Sequence, residues 1–320
     1  MLYRKLGNTG FDVSLLGFGV WQIGGGRWHS NSEKENIEIL QAAQKLGINI
    51  FDAAVVYGQY KDERGYLQSR AQELLGKAFK NKRSEVFYCL KLGQFDEYSH
   101  RSNFEPERIV DQFKQSLRRL QTDYVDILLI HAPSLEKVKN GKAIAVAKTL
   151  QALGLVKAIG YSFENEPEHV RAALTQDIDV IMLQYNLIDT ECKEAIKEAE
   201  EYGIGVLVGG PLKRGYLTGN FKKIEDLPLI DDYWKWNLQH NRGKVEQVLK
   251  KVLVLLEKNT SPKGLRRSAF EHILKESGVS AIVVGNRTMK EIEENAVLIE
   301  ETQKSLQSTK NKKLNKRHEK

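Results

Sequence analysis

Eight short apolar runs recur along this chain, and longer segments of helical period separate them. The runs cover 15–20, 48–54, 86–91, 125–130, 156–161, 180–184, 204–208 and 281–284. Most are continuous rather than alternating, the pattern of parallel strands covered on both faces. Strand–helix alternation on this scale predicts an α/β chain closed into a (β/α)8 TIM barrel, more readily than an open doubly wound sheet. The open sheet also lacks its signature. No G-x-G-x-x-G follows the first run, and Gly24-Gly25-Gly26 is a bare glycine run.

Local signals fill in the rest. Segments 2–6 and 11–15 flank Gly7-Asn8-Thr9-Gly10 and read as an N-terminal β-hairpin. Ser32 with Glu35 makes a capping box, and Gly47 ends that helix. Glu105-Pro106 opens another, with Ile109, Phe113, Leu117 and Leu120 at helical spacing. Further helices are expected around 142–153, 168–174, 191–202, 245–257, 265–277 and 289–300. Two stretches break the repeat: 58–70, which is charged, and 213–242, which carries Trp234 and Trp236. In a barrel both are long loops or short extra helices at the carboxyl face, over the mouth.

A length of 320 residues suits one barrel, expected over 1–303. Much of the formal charge of +7 lies in Lys310 to Lys320, so 304–320 reads as a basic, disordered tail. Without that tail the body is close to neutral, and nucleic acid is not an expected partner. Cys89 and Cys192 make no disulfide framework and have no neighbour at metal-ligand spacing, so no metal site is expected. No apolar run reaches the roughly 20 residues of a membrane span, and the N-terminus lacks the plan of a signal peptide. The expectation is a cytoplasmic, reduced protein without a membrane partner, monomeric or weakly homo-oligomeric.

In a barrel, chemistry belongs at the carboxyl ends of the strands. Asp52 and then Tyr57 stand near the end of the second run, Lys91 ends the third, and His131 follows the fourth. Taken singly, the aspartate reads as a turn former and the histidine as a core residue. Lys91 is different: an ammonium ending an apolar run needs a carboxylate partner or loses its proton, and Asp52 on the adjacent strand can be that partner. The four together suit reduction of a carbonyl by hydride, which develops an alkoxide and needs a proton donor. Tyr57 is that donor, Lys91 is the cation expected to lower its pKa, Asp52 holds Lys91, and neutral His131 orients the carbonyl oxygen.

The stretch Phe51-Asp52-Ala53-Ala54-Val55-Val56-Tyr57-Gly58 resembles the aldo-keto reductase signature. Leu6-Gly7-Asn8-Thr9-Gly10, Leu16-Gly17-Phe18-Gly19 and Ser116-Leu117-Arg118-Arg119-Leu120, continuing through Asp123-Tyr124-Val125-Asp126 to His131, resemble the same family. The resemblance runs from Leu2 to about Ile299. It implies a (β/α)8 barrel, a catalytic tetrad of Asp52, Tyr57, Lys91 and His131, and reduction of an aldehyde or ketone, sugars included, with NADPH (NADH not excluded). It places the cofactor against Gly19, Trp21, Ser162, Gln184, Pro211, Leu212, Gly285, Asn286, Arg287, Glu294 and Asn295.

The sequence departs from the family in places. Phe163 follows Ser162 where many members have asparagine. No aromatic stands at Gly209, which leaves the Trp234 segment as a source of one. Glu291 replaces an arginine that often grips the 2′-phosphate, although Thr288 and Glu291 also form a capping box; Arg287 is the remaining phosphate ligand. Lys61, Arg64, Tyr66 and Arg70 either meet an acidic substrate or belong to a solvated loop. The resemblance also admits a second reading: a cofactor-binding sensor or regulatory subunit with little turnover.

Overall fold

All eight runs are strands. They are β1 (Leu16–Gly19), β2 (Ile50–Ala54), β3 (Phe87–Leu92), β4 (Val125–His131), β5 (Val156–Ser162), β6 (Val180–Gln184), β7 (Gly205–Gly209) and β8 (Val279–Gly285). The computed structural model describes residues 1–97 and 101–318. In it the strands pair in parallel in chain order, and β8 closes on β1.

The pleat decides what faces the barrel axis. Ile50, Cys89, Ile127, Leu129, Val180, Met182, Leu207 and Val283 belong to one inner cluster. Their alternates Phe51, Leu90, Leu128, Ile181 and Ile282 belong to the larger cluster under the helices. With a side-chain period of two, Asp52 follows Ile50 and Lys91 follows Cys89 onto the inner side. The charged pair therefore caps the apolar interior at its carboxyl end.

The opposite end is sealed by the hairpin of Tyr3–Lys5 with Asp12–Ser14. Leu6 and Val13 are fully buried and complete the inner cluster from below. Gly7 makes the close approach possible: a Cβ there would lie 2.3 Å from the Gly205 nitrogen, and φ is +50°.

The helix Glu33–Lys45 carries the expected capping box, and Pro106–Leu120 starts at its proline with Ile109, Phe113 and Leu120 buried. Lys142–Ala152, Pro167–Leu174, Lys193–Glu201, Arg242–Asn259 and Pro262–Leu274 fall within a few residues of expectation. Segment 213–242 contains a short helix, Asp232–His240. Segment 58–70 differs from expectation: it is a small antiparallel hairpin, Gln59–Lys61 with Leu67–Ser69. The Asp62 carboxylate organises its turn by accepting from the Arg64 and Tyr66 backbone nitrogens.

The last helix runs Met289–His318, across the expected boundary at 303. Thr302 is buried and Leu306 packs on the core, one on each side of that boundary. The Lys, Gln and Leu content beyond it favours helix, which continues the packed turns before it. Residues 319 and 320 lie outside the described residues.

Candidate active site

Tyr57 leaves β2 in a tight turn, its N–H donating to the Ala54 carbonyl at 3.2 Å. The next residue, Gly58, has φ +63°, and a Cβ there would strike the Gly24 carbonyl oxygen at 2.0 Å. Backbone 24–26 is thus pressed against the turn that carries Tyr57. The phenol ring stacks on Trp21 at 5.8 Å and meets the His131 ring edge-on at 6.2 Å.

Lys91 Nζ donates to Asp52 Oδ2 at 2.8 Å, lies 3.6 Å from Met182 Sδ and sits 5.1 Å from the centre of the Tyr57 ring. Both members of the pair are 4% exposed. Burial pulls the Lys91 pKa down, but the charges of Asp52 and Tyr57 and their hydrogen bonds together raise it above the ordinary lysine value. The ammonium stays protonated.

The phenol does not follow the expected direction. Burial pushes the Tyr57 pKa up to about 12, and the opposing pull of Lys91 is partly cancelled by Asp52. A cation already neutralised by a buried carboxylate cannot offset the loss of water around a phenolate. Free Tyr57 is a fully protonated donor.

All four side chains line one cavity of about 490 Å³. Gly19, Trp21, Ser162, Gln184, Pro211, Leu212, Gly285 and Arg287 line it too. Asn286, Glu294 and Asn295 do not. Asn286 is 1% exposed and spends its amide on the Val284 carbonyl and on Asn295 Nδ2 at 2.8 Å. Glu294 pairs with Arg266 at 3.0 Å on the outer face of the last helix. Asn286 and Asn295 hold the end of β8 to that helix, Glu294 ties it to the helix Pro262–Leu274, and none of the three lines the cavity.

Glu291 forms the expected capping box with Thr288 and also accepts from the Arg287 N–H at 2.6 Å. The Arg287 guanidinium is engaged by both Asp231 oxygens, at 3.0 and 3.1 Å. Asp231 is fully buried and also accepts from the His29 N–H at 2.7 Å. Phe163 stacks on Tyr161 at 5.6 Å while lining the cavity. Phe221 and Trp234 line the same cavity as Gly209. Lys61, Arg64, Tyr66 and Arg70 are not in its wall: Arg64 pairs with Asp62, and Arg70 lies over Tyr60 at 5.2 Å.

The cavity fits a nicotinamide dinucleotide. Ser162 and Gln184 offer a hydroxyl and an amide at one end, the right chemistry for a carboxamide. Gly19, Gly209 and Gly210 add no side chain to the wall, where a ligand can approach closely, while the Gln22 amide stands against Gly285. Arg287 at the other end has the charge and fork geometry for a phosphate.

The model of the Aldo/keto reductase family matches residues 15–315. The chain belongs to that family. The reductase is 30% identical over 305 residues to the aldo-keto reductase YhdN of Bacillus subtilis, covering 92% of this chain and 87% of that one. It is 27% identical to the NADH-specific methylglyoxal reductase of Escherichia coli, covering 92% of each. Among solved structures, it superposes on the holo form of aldo-keto reductase AKR11C1 from Bacillus halodurans with a TM-score of 0.74. The identity there is 25%, with 96% of each chain covered.

Several lining groups of this aldo-keto reductase escaped the sequence reading: Gln22, Trp28, Gln94, Glu97, Met182 and Arg214. Glu97 is 4% exposed and takes the Trp21 indole N–H at 2.7 Å. It follows Lys91 within a few residues, a position that marks the carboxyl end of β3, but only the fold shows that its loop turns inward. No signal links Asp231 to Arg287 across 56 positions.

Proposed function

We propose that this protein reduces an aldehyde or ketone to an alcohol with Tyr57 as general acid and NADPH as the hydride source. The observation that carries the reading is the buried Lys91–Asp52 pair set against the Tyr57 ring at the head of the barrel. A nicotinamide bound beside Ser162 and Gln184 supplies the hydride.

Everything else falls to the chain's own groups. The substrate oxygen sits between the Tyr57 hydroxyl and the His131 ring, which orient it for attack at carbon. As negative charge grows on that oxygen, the Tyr57 O–H transfers its proton. Lys91 stabilises the phenolate left behind, an anion that burial alone disfavours strongly. Asp52 keeps the ammonium in place. The dry site makes each of these interactions stronger than it is in water.

Arg287 supports NADPH, since its guanidinium fork suits a 2′-phosphate, although Glu291 already occupies the N-terminus of the last helix. Asp231 opposes it by already occupying the guanidinium, and one relative is named NADH-specific. Fluorescence titration with both cofactors decides the matter: tighter NADH binding overturns this preference. For the chemistry, consumption of NADPH with a generic aromatic aldehyde is compared in wild type and Tyr57→Phe. A loss of about a hundredfold or more in kcat is expected, within the range for a general acid. Equal rates in the two proteins remove Tyr57 from its role.

A further inference from the structure

The Lys91 ammonium has three hydrogens to place, on a side chain that is 4% exposed. Asp52 Oδ2 accepts one at 2.8 Å, and the Tyr57 oxygen takes another. The remaining acceptor is Met182 Sδ at 3.6 Å, within hydrogen-bond reach for sulfur. Met182 comes from β6, three strands round the barrel from β3, so this contact crosses the interior instead of joining neighbours. Val180 and Met182 alternate onto the inner side, and Met182 is itself 4% exposed. It lines the same cavity as Tyr57 and as Gln184, which stands two residues further along its own strand.

A role as apolar filler accounts for the size of Met182 but not for the place of its sulfur. Leucine would fill nearly the same volume and leave a buried N–H of a cation without an acceptor, which is costly. A carboxylate oxygen would bind the ammonium more strongly and draw it toward β6, away from the phenol. A thioether accepts weakly. It satisfies the third hydrogen and leaves most of the positive charge to Asp52 and Tyr57.

We propose that Met182 is a positioning residue for the reduction: its sulfur holds the Lys91 ammonium from across the barrel, so that the Tyr57 phenolate forms beside a fixed charge. The proposal rests on the reading of the site as a carbonyl reductase.

The test compares NADPH consumption with benzaldehyde in wild type, Met182→Leu and Met182→Gln. Met182→Leu keeps the volume and loses the acceptor, so kcat should fall about five- to tenfold with KM unchanged. Met182→Gln restores an acceptor but buries an amide. In urea denaturation it should be the less stable of the two variants, and yet it should be the faster enzyme. Filling alone would give the reverse order of rates. A wild-type kcat in Met182→Leu, or a kcat in Met182→Gln no higher than in Met182→Leu, overturns the proposal.

A measurement without turnover separates this outcome from failure of the reaction itself. In unliganded protein carrying isotope-labelled lysine, the Lys91 ammonium should give a slowly exchanging NMR signal, assigned by its loss in Lys91→Met. Faster exchange should erase that signal in Met182→Leu. No reduction of benzaldehyde by wild type, with the signal present there and lost in Met182→Leu, overturns the reductase reading and upholds the sulfur contact. A signal absent from wild type, or unchanged in Met182→Leu, overturns the contact.

Discussion

Lys91 and Asp52 are a charged pair in a place where charge is expensive, and the two can only be removed together without a large penalty. Truncating one partner strands the other in the barrel. Lys91→Met is expected to cost about 3–5 kcal/mol of stability, the usual cost of breaking a buried pair. The double variant Asp52→Asn with Lys91→Met should recover much of that loss in urea denaturation while staying inactive. Equal stability of the single and double variants would mean that the pair is not coupled.

Glu97 provides a second case at this scale. Its folded pKa, about 7, lies above the roughly 4.3 of an exposed glutamate. The native protein therefore binds more protons than the unfolded chain between those values, and stability falls as pH rises through the window. The deficit is fully developed above pH 7 and absent below pH 4. Glu97→Gln should gain up to about 3 kcal/mol on wild type at pH 8 and little at pH 4.5, by urea denaturation. A gain that does not change with pH would place the carboxyl in water. The sequence exposed Asp52, Tyr57, Lys91 and His131 because each stands at a strand end. Glu97 and Trp28 were hidden because they reach the cavity from loops, whose path no periodicity records.

At the scale of elements, strands were far easier to read than loops. Buried parallel strands appear as unbroken apolar runs, and β1 to β8 fell within a few residues of expectation. The hairpin at 59–69 was missed because it carries no apolar alternation: Gln59 faces Ser69, and Lys61 faces an exposed Leu67. The helix Leu135–Asn140 was missed because one turn and a half is too short for a period to show. Asn286 and Asn295 were assigned to the cofactor, yet they bond to each other; position near a motif does not reveal which way an amide points. The N-terminal hairpin yields a prediction of its own. Leu6→Ala should cost about 2–5 kcal/mol by opening a void under the inner cluster. Activity of the folded fraction should stay at the wild-type level, since Leu6 lies at the end of the barrel away from Tyr57. A fall in kcat at full folding would show that the floor and the site communicate.

Across the whole molecule, Asp231 ties three distant parts of the chain together. It holds Arg287 after β8, takes the His29 N–H after β1, and stands at the start of the helix Asp232–His240. Any phosphate that reaches Arg287 must compete with this carboxylate. Asp231→Asn keeps the His29 hydrogen bond in reach and removes the competing charge. The ratio of NADPH to NADH affinity should rise several-fold in that variant. An unchanged or lower ratio would mean that Arg287 serves only to fasten the segment. No helix among the described residues is long and apolar enough to cross a membrane.

The sealed floor has a kinetic meaning. With Leu6 and Val13 filling its lower end, the barrel is a cup rather than a tube, and nothing passes through it. On the proposed reading, cofactor and substrate share the cavity at the other end, whose wall includes Trp28, Phe221 and Trp234. On that reading the molecule seated deeper leaves last, so turnover in such a vessel is a queue, and its order is set by depth.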